Sequence, residues 1–164
     1  MSGKFQEAYT EIQNFITANP SIKISTNIVM INSDVRAEFY RLFDNVGAVF
    51  LEDKFAALRR EAEILSENYL KAEQAVTKLL KLDNVLAMVH LQRFLHNPSA
   101  ELHKELTDPL FDLLKGKVGF ETFEQQASKN IKATFGNFYG LGYAKWVALS
   151  LVQLLASDKL FNIT

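Results

Sequence analysis

The amino-acid sequence predicts an all-α fold, a single-domain bundle of roughly six to eight helices with one long helix near residues 50–82. Three observations carry this reading. Apolar residues recur at helical spacing along most of the chain. The three prolines and seven glycines fall where they read as element boundaries. Only one stretch, Ser21 to Ser33, is rich in β-branched residues without a helical stripe.

Phe5, Tyr9, Ile12, Phe15 and Ile16 form the first apolar stripe, and Asn19-Pro20 stops that helix. In Ser21–Ser33, the residues Ile22, Ile24, Thr26 and Ile28 share one face if the chain is extended. With no second convincing strand, this stretch reads as an extended connector packed on helices, or as a strand paired with a copy of itself in a dimer. Ser33 is placed to cap the next helix, with Asp34 in its first turn. Val35, Phe39, Leu42, Phe43 and Val46 form that helix's apolar face, and Gly47 is expected to kink or end it.

The long helix is the strongest pattern. Leu51, Phe55, Leu58, Ala62, Leu65, Tyr69, Ala72, Val76 and Leu79 are spaced alternately by 4 and 3 residues. That is an apolar seam of period 3.5, with no proline or glycine from Leu51 to Leu82. Lys54, Arg59, Glu63, Glu67 and Lys71 line the opposite face. Asp83 is placed to cap a continuation through Val85, Leu86, Val89 and Leu95 that closes at His96-Asn97. Asn97-Pro98 reads as cap and first residue of another helix, carrying Leu102 and Leu106. Leu110, Leu113 and Leu114 form a short helix ended by Gly116. Phe120, Phe123, Ala127, Ile131 and Thr134 make the next stripe. Gly136 to Gly142 reads as a loop. Tyr143 to Ser157, apolar on most sides, reads as a central helix.

Composition excludes several functions. Without cysteine there is no disulfide, thiolate metal site or cysteine nucleophile. Eighteen Lys+Arg against nineteen Asp+Glu give no electrostatic argument for nucleic acid or an anionic membrane. The N-terminal stretch holds Glu7 and Glu11 and no apolar run, so it is not a secretory leader. No run reaches the ~18 apolar residues of a spanning helix. A soluble, cytoplasmic protein is the expectation. The ending DKLFNIT, soon after a very hydrophobic helix, leaves open that the chain is the N-terminal part of a longer protein.

No catalytic constellation emerges. His90, His96 and His103 are six and seven residues apart, which does not suit ligation from one helix face. Only a folded turn would bring His96, His103 and Glu101 together. His96 instead suits a helix C-terminus and His103 a solvated face. Glu-x-x-His, His-Glu-x-x-His and Gly-x-Ser-x-Gly are absent. Glu61, Glu63, Glu67 and Glu73 avoid the seam and read as a solvated face. Lys115, Lys117, Lys129 and Lys132 are diluted by Glu121 and Glu124, too sparse for a nucleic-acid footprint. No metal and no cofactor is expected.

Two readings follow. The first is a non-enzymatic α-helical protein–protein interaction or oligomerisation domain, its interface drawn from Leu51, Phe55, Leu58, Leu65, Tyr69 and Val76. Its partner is another protein or a second copy, since closed dimers are the commonest oligomers. The second is a helical small-ligand-binding or catalytic domain at the glycine/aromatic stretch 135–146. There Phe138, Tyr139, Gly140, Gly142, Tyr143, Lys145 and Trp146 would surround a ligand at a helix N-terminus.

Overall fold

The computed structural model describes residues 3–85 and 87–161. Leu86 and the closing Asn162, Ile163 and Thr164 of DKLFNIT lie outside the described residues. The described chain is mostly helical: α1 (Gly3–Ala18), β1 (Ile22–Ser25), β2 (Ile28–Ile31), α2 (Ser33–Leu80), α3 (Val89–His96), α4 (Pro98–Lys104), α5 (Thr107–Leu114) and α6 (Phe120–Phe161). The all-α class therefore holds. The division into helices does not match the expected one, because two expected breaks are helical and one expected continuation is not.

The first break was expected at Gly47. The helix runs through it, and the backbone leaves helical values at Phe55 instead (φ −131°, ψ 21°). The second was expected at 136–142, where α6 is unbroken. Each glycine costs a helix about 1 kcal/mol relative to alanine. That penalty decides nothing once packing fixes the segment. After α2 the chain does not continue as a helix from Asp83; α3 begins at Val89.

Ser21–Ser33 is neither a connector nor a strand awaiting a copy. It pairs with itself as an antiparallel hairpin, Ile22 opposite Ile31, Ile24 opposite Val29 and Ser25 opposite Ile28. The turn is Thr26-Asn27, and neither residue has positive φ. It thus lacks the Asn-Gly or Asp-Gly chemistry that marks hairpins in a sequence. Pairing also reassigns a face. Ile28 lies opposite Ser25, so it sits with Lys23 and Met30 rather than with Ile22 and Ile24. Ile22 is buried, whereas Ile28 and Met30 are exposed.

Two compact units divide the chain. The first comprises the residues up to Ala56 together with His103–Ile131. Its centre is aromatic. Phe5 lies edge-on to Phe50 at 5.6 Å and stacks on Phe123 at 5.6 Å. Phe43 meets Phe111 at 4.5 Å. Tyr9 is buried among these rings, its hydroxyl donating to the Leu113 carbonyl at 3.4 Å. Rings of this size supply most of a small core's apolar area.

The second unit comprises Ala57–Leu102 and the chain from Lys132 onward. Ala62, Leu65, Tyr69, Ala72 and Val76 are buried there along the seam of α2. Leu91, Phe94 and Leu95 are the buried face of α3. The buried Ser66 hydroxyl, beside this seam, donates a short hydrogen bond to the Leu95 carbonyl. Asn97 caps α4 as expected, accepting from the Ala100 amide at 3.1 Å.

Candidate functional site

The stretch 135–146 is a helix face, not a loop. Phe138 packs on Phe94 at 5.6 Å between ring centres. A Cβ on Gly142 would stand 2.7 Å from Leu95 Cδ2 and 3.3 Å from Leu65 Cδ2. That glycine therefore lets α6 approach α3 and α2 closely. Tyr139 stacks on Phe135 at 4.7 Å, and Tyr143 meets Trp146 edge-on at 5.3 Å. Gly142 is buried, Gly140 and Tyr143 are exposed, and Tyr139, Lys145 and Trp146 are half-buried. The seven residues thus lie on different sides of one helix. The helix N-terminus expected near Tyr143 is not there, since α6 begins at Phe120.

The seam residues turn inward. Leu51, Phe55, Leu65, Tyr69 and Val76 are buried within the chain, and Leu58 is half-buried. Tyr69 donates to Glu73 Oε1 at 2.9 Å. Burial, reinforced by that carboxylate, pushes its phenol pKa well above the usual value.

Two of the histidines bond separate backbone carbonyls. His103 Nε2–H donates to the Asp44 carbonyl at 3.0 Å, and His96 Nδ1–H donates to the Gln92 carbonyl at 2.7 Å. His90 is exposed. Among the described residues no three His, Asp or Glu side chains are grouped to hold a metal ion.

Two open clefts collect polar groups. One, of about 280 Å³, is lined by Glu63, Ser66, Glu67, His96, Asn97, Pro98 and Ser99. Its two hydroxyls donate to acceptors other than the imidazole: Ser66 to Leu95 O, and Ser99 to Glu63 Oε1 at 2.7 Å. A nucleophile needs its base within hydrogen-bond reach, and here the serine protons point elsewhere. The other cleft, of about 360 Å³, lies against Val29, Asp108, Phe111, Asp112 and Lys115. Lys115 sits 5.8 Å from the centre of the Phe111 ring, and Lys117 pairs with Asp112 at 3.5 Å. This cleft offers neither histidine nor hydroxyl.

The feature that sequence reasoning missed is on the second half of α6. Leu141, Tyr143, Val147, Leu151, Val152, Leu154 and Leu155 are all exposed. The sequence predicts a central helix at Tyr143 to Ser157, because it is apolar on most sides. Leu149 is buried, but a broad opposite arc is open to solvent. An uncharged run looks the same in sequence whether a core or a solvent-facing surface receives it. No helix among the described residues is long and apolar enough to cross a membrane. Comparisons of the chain with protein-family models, curated proteins and solved structures found no match.

Proposed function

We propose that this chain is a non-enzymatic α-helical interaction domain whose contact surface is the outer face of α6. One observation carries the reading: seven large apolar side chains between Leu141 and Leu155 are exposed together on one helix. Contiguous apolar surface of this extent marks a docking surface. The arrangement of His96, His103, Ser66 and Ser99 supports it, since they are bonded to separate acceptors.

The reading is tested with a double variant, Leu151→Glu with Leu154→Glu. Both positions are exposed, so helicity and Tm should be kept while association with any macromolecular surface is lost. Unfolding of the double variant would show the face to be core and overturn the reading. So would a nucleotide, anion or metabolite that raises the Tm of wild type and variant by the same several degrees, because binding to the native state stabilises it.

A further inference from the structure

We infer that the outer face of α6 is covered by the same face of a second copy of this chain, antiparallel, about a two-fold axis at the level of Leu149. The inference rests on the interaction reading above and names its partner. Tyr143, Val147, Leu151 and Leu154 are spaced by 4, 4 and 3 residues, one continuous stripe on a helix. Leu151, Leu154 and Leu155 are 54%, 62% and 64% exposed.

Area is the first argument. With Leu141, Tyr143, Val147 and Val152, these leucines expose on the order of 700 Å² of mostly apolar surface, close to the ~800 Å² each partner gives to a standard interface. A second copy of the same face brings a matching area.

Charge is the second. From Trp146 to Ser157 the chain carries no ionisable residue. A charged partner would lose hydration there and find nothing opposite to pair with. A second copy brings an equally uncharged surface. A lipid surface fits less well, because helices that lie in membrane interfaces carry Lys and Arg along their polar face. Here Lys145 is the single basic residue between Gly136 and Ser157.

Symmetry sets the direction. In a two-fold contact each residue meets the counterpart of its own partner. Centred at the level of Leu149, an antiparallel pair sets Val147 beside the partner's Leu151 and Tyr143 beside the partner's Leu155. It also opposes the two helix dipoles and keeps the two Lys145 ammonium groups at opposite ends. A parallel pair would bring those two cations level.

The test is the solution mass of the full chain, by size exclusion with light scattering, from micromolar to submillimolar concentration. A dimer is expected whose fraction grows with concentration. Leu151→Glu with Leu154→Glu should weaken it more than a hundredfold with unchanged far-ultraviolet circular dichroism. The chain has no cysteine, so Ala148→Cys introduces its sole thiol. That variant should form a disulfide-linked dimer under mild oxidation, whereas Gln153→Cys, exposed on the opposite side of α6, should not. A monomer at every concentration overturns the inference. So does a dimer that survives the double glutamate variant, or one cross-linked equally through Gln153→Cys. If the wild type is monomeric but wild type alone, and not the glutamate variant, binds phospholipid vesicles, the second copy falls and the interaction reading stands. If the glutamate variant unfolds, both fall.

Discussion

Gly47 and His103 are in direct contact. A Cβ on Gly47 would stand 2.4 Å from His103 Nε2, and that same nitrogen donates to the Asp44 carbonyl at 3.0 Å. The Nε2 edge of the imidazole occupies the place where a side chain would otherwise be, one turn from its acceptor. Gly47 therefore serves α2 as a seat for His103 and not as a break. In sequence, neither role is visible, because the two residues are far apart and each has an ordinary local explanation.

This contact gives a prediction whose sign can be reversed. Alanine for glycine within a helix normally gains about 1 kcal/mol. Gly47→Ala should instead destabilise the protein by about 1 kcal/mol, because the ring must swing away and its hydrogen bond is lost. With His103→Ala in the background the clash is gone, and Gly47→Ala should then stabilise. Urea denaturation of the four proteins in a double-mutant cycle reads the coupling directly. An additive cycle would show that the contact carries no energy.

The three glycines of α6 separate in the same way. Nothing lies within 4 Å of a Cβ built on Gly136 or Gly140, whereas Gly142 faces Leu95 and Leu65. Gly136→Ala and Gly140→Ala should each raise stability by about 1 kcal/mol. Gly142→Ala should give no gain, and Gly142→Leu should cost about 3 kcal/mol through overpacking. Denaturant midpoints compared across the set would decide it, and equal gains at all three positions would contradict the close approach of α6.

These glycines also show where sequence reading stops. The seam from Leu51 to Val76 was legible because burial imposes a period, and that period survives in the residues themselves. Asn97-Pro98 and Gly116 were legible because capping is local; Gly116 indeed has φ of 68° and follows α5. The hairpin was not, since Thr26-Asn27 turns without positive φ. Gly136 to Gly142 reads as a loop by propensity, whereas the packing of Phe138 and Gly142 lies far away in sequence. The outer face of α6 was hidden for a different reason. Hydrophobicity says that a surface will be covered, but not whether its own chain covers it.

Tyr69 predicts a dependence on alkaline pH. Burial, and then the hydrogen bond to Glu73, hold its folded pKa above the ordinary value of 10.0. Above pH 10 the unfolded chain releases this proton while the folded chain keeps it. The contribution to stability is therefore complete below pH 10 and is lost as pH rises beyond it. Wild-type Tm should fall more steeply than that of Tyr69→Phe between about pH 10 and 11.5. At neutral pH, Tyr69→Phe should cost about 1 kcal/mol for the lost bond to Glu73. Parallel Tm curves for the two proteins above pH 10 would show that Tyr69 does not titrate late.

The end of α2 offers a gain in stability instead of a loss. Lys81 follows the last helical residue with φ of 53°, and the Leu82 amide donates back to the Thr77 carbonyl at 2.9 Å. That six-residue return is the helix stop that glycine normally provides. A side chain in the left-handed region costs roughly 1–2 kcal/mol, because Cβ crowds the following carbonyl. Lys81 is exposed, so its own side chain contributes little packing in exchange. Lys81→Gly should therefore stabilise the protein by about 1 kcal/mol, read as a higher denaturant midpoint at unchanged slope. Lys81→Ala should give no comparable gain, since alanine keeps the Cβ. If both variants gained equally, the benefit would lie in removing the lysine charge, and the backbone at the close of α2 would carry no strain.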